Sequence, residues 1–149
     1  MAGKIWDWLP RLKDVEREHN SMRIAAGHLL WSLDQKAVAL DPELRRADVK
    51  TASEKLEMTY VMRLFSQFER TLKRFLKDKN RKVPRHAEAL INRVAARIGF
   101  AGDILVNAHK VRDFRNDLAH DLQRGNDPLT IREATSYLTT YLYRLQQDW

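Results

Sequence analysis

The residues best suited to chemistry lie in one short stretch of the last third of the chain, Arg115-Asn116-Asp117-Leu118-Ala119-His120. His120 can exchange a proton near neutral pH, where an imidazole titrates. Arg115 stays charged and presents a fork of N–H donors that matches carboxylate or phosphate oxygens. On a helix Arg115 lies at the edge of an apolar stripe, where a guanidinium needs an anionic or polar partner.

Other common types of site have no matching pattern in the sequence. The 149 residues contain no cysteine, which excludes disulfides, thiol chemistry and cysteine-bound metals. There is no glycine-rich phosphate loop, no nucleophile elbow, and no pair of histidines with the spacing of a helical metal site. Asp113, Asp117 and Asp121 recur every four residues, but a solvated acidic stripe is a simpler interpretation than a cation site. We therefore expect neither a resident metal ion nor a cofactor.

Positive charge is concentrated in the middle of the chain. The formal net charge is +7, and residues 63–97 alone contain eleven basic and three acidic residues. Residues 1–62 are neutral and residues 98–149 carry −1. A solvated helix face explains part of this pattern, but confinement of the whole excess to one region favours a surface that contacts phosphates. The candidate phosphate contacts are Arg70, Lys73, Arg74 and Lys77.

Apolar residues recur at three- and four-residue steps along most of the chain, which predicts an all-α protein. We expect helices over about 10–40, 48–76, 84–98, 104–122 and 129–145. Short connections between amphipathic helices favour an up-and-down antiparallel bundle of about four main helices plus one shorter helix. The chain would form one domain, with residues 1–47 as an N-terminal helical extension and residues 48–149 as the core bundle. The buried side of the fourth helix would consist of Val111, Phe114, Leu118 and Leu122.

The sequence also bears on location. No apolar run approaches the roughly 20 residues that cross a bilayer. The first residues mix charge with apolar side chains and lack the uninterrupted apolar run of a secretory signal. We expect a cytoplasmic protein without membrane contact.

The stretch 115–120 resembles the R-x-x-x-x-H signature of the HEPN superfamily, in the form with asparagine directly after the arginine. Members of that superfamily are all-α bundles, and many are metal-independent ribonucleases that act as toxins or in phage defence. The position of the stretch, late in a fourth helix and followed by one more helix, is similar to the family's arrangement. The resemblance covers residues 48–149 as a pattern and six residues as a motif.

The resemblance implies an endoribonuclease that leaves 2′,3′-cyclic phosphate and 5′-hydroxyl ends. His120 would supply the acid and the base, Arg115 would hold the phosphate, and Asn116 would orient the phosphate or an imidazole. Arg115 and His120 are about 140° apart on an ideal helix, so one copy does not direct both groups at one atom. A homodimer with the fourth helices near its two-fold axis would gather two copies of each around one cleft.

Partners and alternatives follow from the same resemblance. RNA is the expected substrate, and an antitoxin or other regulatory protein is a further possible partner. Toxins paired with a small nucleotidyltransferase carry tyrosine two residues after the histidine, where this chain has Leu122, so adenylylation there is not expected. Two other interpretations stay open: a non-catalytic HEPN module that binds RNA or a protein, and a structural adaptor that docks through exposed Trp6, Trp8 and Trp149.

Overall fold

The structure is a computed structural model that describes residues 5–36, 41–120 and 128–149. Regular structure in these residues is helical throughout. The five α-helices are α1 (Ile5–Asp34), α2 (Arg46–Asp78), α3 (Ala87–Ile98), α4 (Asp103–Ala119) and α5 (Ile131–Tyr143), and one 3₁₀ turn (Arg144–Gln147) follows α5. The helices pack against one another, so the prediction of an all-α helical bundle is confirmed.

Helix α2 is the centre of the bundle and contacts each of the other four α-helices. One side of α2 is apolar at helical spacing and completely buried. The spacing predicts Val61, Phe65, Phe68, Leu72 and Phe75 on this side, and the structure adds Leu64 and Leu76. Burying a large apolar side chain contributes about 1.5–3 kcal/mol, so this side of α2 organises the packing of its neighbours.

Helices α1 and α2 run antiparallel. The end of α1 meets the start of α2, where Arg46 Nε donates to Asp34 Oδ1 at 2.6 Å, and their middles are joined by an ion pair between Arg63 and Glu18. Only the first half of α1 enters the core, because every residue of α1 after His19 is exposed or half-buried.

The predicted start of α1 at Pro10 is wrong. The helix begins at Ile5, and Pro10 lies in its second turn. A proline at this position removes one backbone donor. Burial of Ile5 and Leu9 in the core outweighs that loss, since both side chains are at most 6% exposed. The apolar spacing of this helix also predicts Met22 on its buried side, but Met22 is 47% exposed.

Tyr141 fastens α5 to the bundle. Its side chain is completely buried, and its hydroxyl donates to the carbonyl oxygen of Ile91 on α3 at 2.6 Å. The rings of Phe68 and Phe100 pack edge-on against it, with centroids 5.1 and 4.8 Å away. Burial raises the pKa of Tyr141 far above its usual range. The contacts of Tyr141 thus hold α5 against α2 and α3. Helix α4 packs against all three of these helices.

The start of α5 is set by a capping box. The Thr130 hydroxyl accepts from the Glu133 backbone N–H at 3.1 Å, and the Glu133 carboxylate accepts from the Thr130 backbone N–H at 2.9 Å. This reciprocal pair satisfies two donors that a helix start leaves unpaired. The hydrogen bonds from Thr130 lower the pKa of Glu133.

The tryptophans expected to dock on a partner do not form one exposed surface. Trp6 is 54% exposed, but Trp8 and Trp149 are half-buried and stack on each other with centroids 6.4 Å apart. Trp149 also packs edge-on against Phe75 and donates its indole N–H to Asp78 at 3.1 Å. The prediction of three exposed tryptophans is therefore wrong, because two of them pack against each other and against the bundle.

No helix in residues 5–36, 41–120 and 128–149 is both long enough and apolar enough to cross a membrane.

Candidate active site

The second half of α4 carries the residues that the sequence singled out. Arg115 and Asn116 lie within the helix, and His120 is its C-cap residue, with φ −105° and ψ 6°. The backbone N–H of His120 donates to the carbonyl oxygen of Asn116 at 3.1 Å, which ties this residue to the last helical turn. The His120 side chain is exposed. The structure thus leaves the imidazole accessible at the C-terminal end of α4.

Arg115 has a defined position between α4 and α2. Its Nη2 donates to Glu69 Oε2 at 3.1 Å, and its Nη1 donates to Asn116 Oδ1 at 2.9 Å. The guanidinium carbon lies 5.0 Å from the centroid of the Phe65 ring, within the range of a cation–π contact. The Arg115 side chain is 28% exposed. A carboxylate, an amide and an aromatic face therefore hold the guanidinium, and within the described residues these hydrogen bonds use two of its five N–H donors.

Glu69 is the residue of this site that sequence reasoning did not identify. Its side chain is 15% exposed, and besides Arg115 it contacts Lys73, whose Nζ lies 3.7 Å from Glu69 Oε1. A signal was present, because Glu69 is the only acidic residue between Arg63 and Lys77 and lies one turn after the buried Phe65. Its partner Arg115 is 46 residues away, so only the packing of α2 against α4 identifies the contact.

The candidate phosphate contacts on α2 fall into two pairs. Lys73 and Arg74 already have carboxylate partners, Glu69 at 3.7 Å and Asp78 at 2.9 Å. Arg70 and Lys77 are exposed, and neither forms an ion pair within the part of the chain that the structure describes. Glu69 contacts both Lys73 and Arg115. It therefore connects the basic side of α2, which consists of Arg70, Lys73, Arg74 and Lys77, to the motif on α4.

The alternative cation site is not assembled in the described residues. Asp113 accepts from Arg112 Nη2 at 2.6 Å, and Asp117 is engaged in interactions of its own. Asp121 and Leu122 lie outside the described residues. Within residues 5–36, 41–120 and 128–149, no three His, Asp or Glu side chains are grouped so that they would hold a metal ion.

A second histidine on α4 has a structural position. The Nε2 of His109 lies 2.8 Å from Asn92 Oδ1 on α3, and Arg112 on the next turn pairs with Glu88 of α3 at 3.3 Å. Burial, and after it the charge of Arg112, lowers the pKa of His109. These two contacts join α3 to α4 in an antiparallel pair. They help to fix the position of α4, the helix that carries Arg115.

Comparison of the chain with models of known protein families, with curated proteins and with solved structures finds no match. Helix α4 and its neighbours combine an oriented guanidinium at Arg115, an exposed imidazole at the C-cap residue His120, and a basic surface on α2 that Glu69 connects to Arg115. This combination is suited to binding a phosphodiester and to moving protons without a metal ion.

Proposed function

We propose that this chain is a metal-independent endoribonuclease of the HEPN type, acting as a toxin or phage-defence effector. The observation that carries the proposal is the contact network around Glu69. That carboxylate bonds Arg115 of α4 at 3.1 Å and lies 3.7 Å from Lys73 of the basic side of α2. The network links the residues suited to phosphate chemistry to the surface suited to polyanion binding.

In this proposal the chemistry consists of two proton transfers and one displacement at phosphorus. One His120 accepts the proton of the ribose 2′-hydroxyl, and the 2′-oxygen attacks the adjacent phosphorus. The bond from phosphorus to the 5′-oxygen breaks, and a protonated second His120 gives that oxygen its proton. Arg115 stabilises the negative charge that develops on the phosphoryl oxygens. The products are a 2′,3′-cyclic phosphate and a 5′-hydroxyl.

Two chains would supply the two His120 side chains. Each chain has one His120, at the C-cap of α4, so the second imidazole comes from a symmetry-related chain. Leu118 within the motif and Phe114 just before it are only half-buried, although the apolar pattern placed them on the buried side. Covering these side chains with the same surface of a second chain would add apolar burial to the dimer.

A second candidate function, a non-catalytic RNA-binding module, is favoured by one specific observation. Both terminal nitrogens of Arg115 already donate within the chain, to Asn116 and Glu69. An arginine engaged in this way can act as a structural link between α2 and α4. The two functions differ in outcome, because only the nuclease produces 2′,3′-cyclic phosphate ends.

The decisive experiment is cleavage of RNA by the purified chain and by His120→Ala. We expect His120→Ala to lower the rate by about a hundred- to ten-thousand-fold, because it removes a proton-transfer group. Folding should be unaffected, since the side chain is exposed. His28→Ala, an exposed histidine of α1, is the matched control and should retain full activity.

Two further observations accompany this experiment. Chelation with EDTA should leave the rate unchanged, and the rate should follow a bell-shaped pH profile, since the two imidazoles act in opposite protonation states. Full activity of His120→Ala would contradict the proposal, as would loss of activity in EDTA that magnesium restores. Equal RNA binding by both proteins without any cleavage would establish the non-catalytic module.

A further inference from the structure

A separate concentration of positive charge surrounds a cleft formed by the end of α2, the loop after it and α3. The cleft has a volume of about 560 Å³ and is lined by Leu76, Arg81, Lys82, Arg93 and Arg97. This volume lies within the roughly 300–1,000 Å³ of small-molecule sites in proteins. Four of its five lining residues are cations, and none belongs to the motif on α4.

The backbone around the cleft is held by specific hydrogen bonds. Helix α2 ends in a Schellman motif: the N–H of Arg81 donates to the carbonyl oxygen of Leu76 at 2.9 Å, and that of Asn80 donates to Lys77 at 2.9 Å. Asn80 takes the left-handed conformation that the motif requires, with φ +53°. On the other side, Arg93 Nη1 donates to the carbonyl oxygen of Lys82 at 3.1 Å. The loop is thus hydrogen-bonded to both α2 and α3, and these bonds fix the backbone positions of Arg81 and Lys82.

The charges around the cleft are not neutralised by carboxylates of the residues that the structure describes. Within the described residues, no ion pair joins any of the four cations to a carboxylate. Neighbouring cations differ, since Arg74 pairs with Asp78 and Arg112 with Glu88. Arg93 and Arg97 lie four residues apart on α3, where like charges repel.

Helix dipoles account for only part of this arrangement. Arg97 lies in the last turn of α3, where a cation is favourable, and Arg81 lies in the loop that directly follows α2. Arg93 lies in the middle of α3, where the helix dipole does not stabilise a positive charge. Lys82 lies farther from the end of α2 than Arg81 does. An anion in the cleft would relieve the remaining repulsion.

We infer that this cleft binds a ligand with two or more neighbouring phosphate groups. Arginine side chains match phosphate oxygens with parallel N–H donors, and four cations exceed what one phosphate neutralises. Neighbouring phosphates occur in the polyphosphate chain of a nucleotide and along an RNA backbone, and both present the same chemistry. The inference concerns equilibrium binding at residues outside α4, so it does not depend on RNA cleavage.

The test compares a cleft variant with a charge-matched control. Arg81→Gln/Arg97→Gln removes two cleft cations and leaves the Arg93 contact with Lys82 intact. Arg23→Gln/Arg132→Gln removes two exposed cations from α1 and α5 and changes the net charge equally. The probes are inorganic tripolyphosphate and a short single-stranded 2′-O-methyl RNA with a 5′-hydroxyl, which cannot form a cyclic phosphate. Binding is measured by isothermal titration calorimetry at several salt concentrations.

We expect the cleft variant to bind at least one probe about tenfold more weakly than the wild-type chain, and the control to stay within about twofold. Loss confined to tripolyphosphate identifies a free polyphosphate as the ligand, and loss confined to RNA identifies the backbone. The inference is overturned if neither probe binds, or if the cleft and control variants lose affinity equally. Thermal unfolding checks both variants. If the cleft variant fails to fold, Lys82→Gln alone, with Lys110→Gln as its control, answers the same question.

Discussion

Arg115 is the residue at which the polar and apolar parts of this molecule meet. Its guanidinium lies 5.0 Å from the Phe65 ring centroid, so it borders the core, and the contact with Glu69 orients it there. A guanidinium held in place loses little conformational freedom when it binds a phosphate. The same contacts give Arg115 a measurable role in stability and a proposed role in catalysis, and two substitutions separate these roles.

Arg115→Lys tests the proposed catalytic role. An ammonium can still pair with Glu69, but it cannot present parallel donors to two phosphoryl oxygens. We expect RNA cleavage to fall by about a hundred- to a thousand-fold, the usual cost of losing a donor that stabilises developing charge. The rate is measured against Arg132→Lys, an exposed arginine of α5 that should remain fully active. Retention of wild-type activity by Arg115→Lys would remove Arg115 from the mechanism.

Glu69→Gln tests the structural role. The substitution leaves a partly buried guanidinium without its carboxylate, and we expect the free energy of unfolding to fall by about 1 kcal/mol. A double-mutant cycle with Arg115→Gln in urea should give a coupling energy of similar size between the two side chains. Additive effects of the two substitutions would show that the 3.1 Å contact contributes nothing to stability.

At the scale of elements, α2 serves two purposes on two sides. Its buried side, from Val61 to Leu76, holds the bundle together, and its outer side carries the basic residues. Ion pairs divide that outer side, because Lys73 and Arg74 already have carboxylate partners whereas Arg70 and Lys77 are exposed. Equal positive charge in the sequence therefore does not mean equal availability to a ligand.

This difference predicts the salt dependence of RNA binding. Each phosphate contact contributes about 0.7 to the slope of log affinity against log salt for single strands. Arg70→Gln/Lys77→Gln should therefore make the slope shallower by about 1.4. Lys73→Gln/Arg74→Gln should change it less, because these cations are already paired. An unchanged slope in Arg70→Gln/Lys77→Gln would mean that this side of α2 is a solvated helix face.

At the scale of the whole molecule, the buried Tyr141 predicts how the fold responds to alkali. Burial raises the folded-state pKa of Tyr141 above that of the unfolded chain. The stability from the neutral phenol is therefore complete below about pH 10 and is lost as the pH rises further. Tyr141→Phe should cost about 1 kcal/mol at neutral pH, since it removes one buried hydrogen bond. Urea unfolding measured across pH should show that the free energy of unfolding falls less at alkaline pH in the variant than in the wild-type chain. An equal fall in both proteins would exclude Tyr141 as the source of the pH dependence.

The assembly is a second prediction at this scale. We expect a two-fold dimer at micromolar concentration with the α4 helices near the axis, since the proposed chemistry needs two copies of His120. Sedimentation equilibrium measures the mass, and Leu118→Glu, at a half-buried position of α4, should shift it toward the monomer. A strictly monomeric chain that still cleaves RNA would contradict the composite site. Lys110→Glu, an exposed position of α4, is the control.

The sequence by itself determined the elements of this protein. The buried side of α2 and the concentration of charge in residues 63–97 follow from residue spacing and composition, which are local properties. Local spacing also located α4, but it placed His120 inside the helix, whereas α4 ends at Ala119 and His120 is its C-cap residue. The spacing failed at Pro10 as well, because the pattern could not show that Ile5 and Leu9 are buried by other helices.

Tertiary structure alone decided which of these residues meet. Glu69 and Arg115 are 46 residues apart, and Trp8 stacks on Trp149 across nearly the whole chain. The cleft between α2 and α3 unites Arg81 with Arg97, although the sequence presents them as members of one long basic region. Such contacts depend on how amphipathic helices pack, and the hydrophobic pattern specifies that each helix is buried without specifying which neighbour covers it.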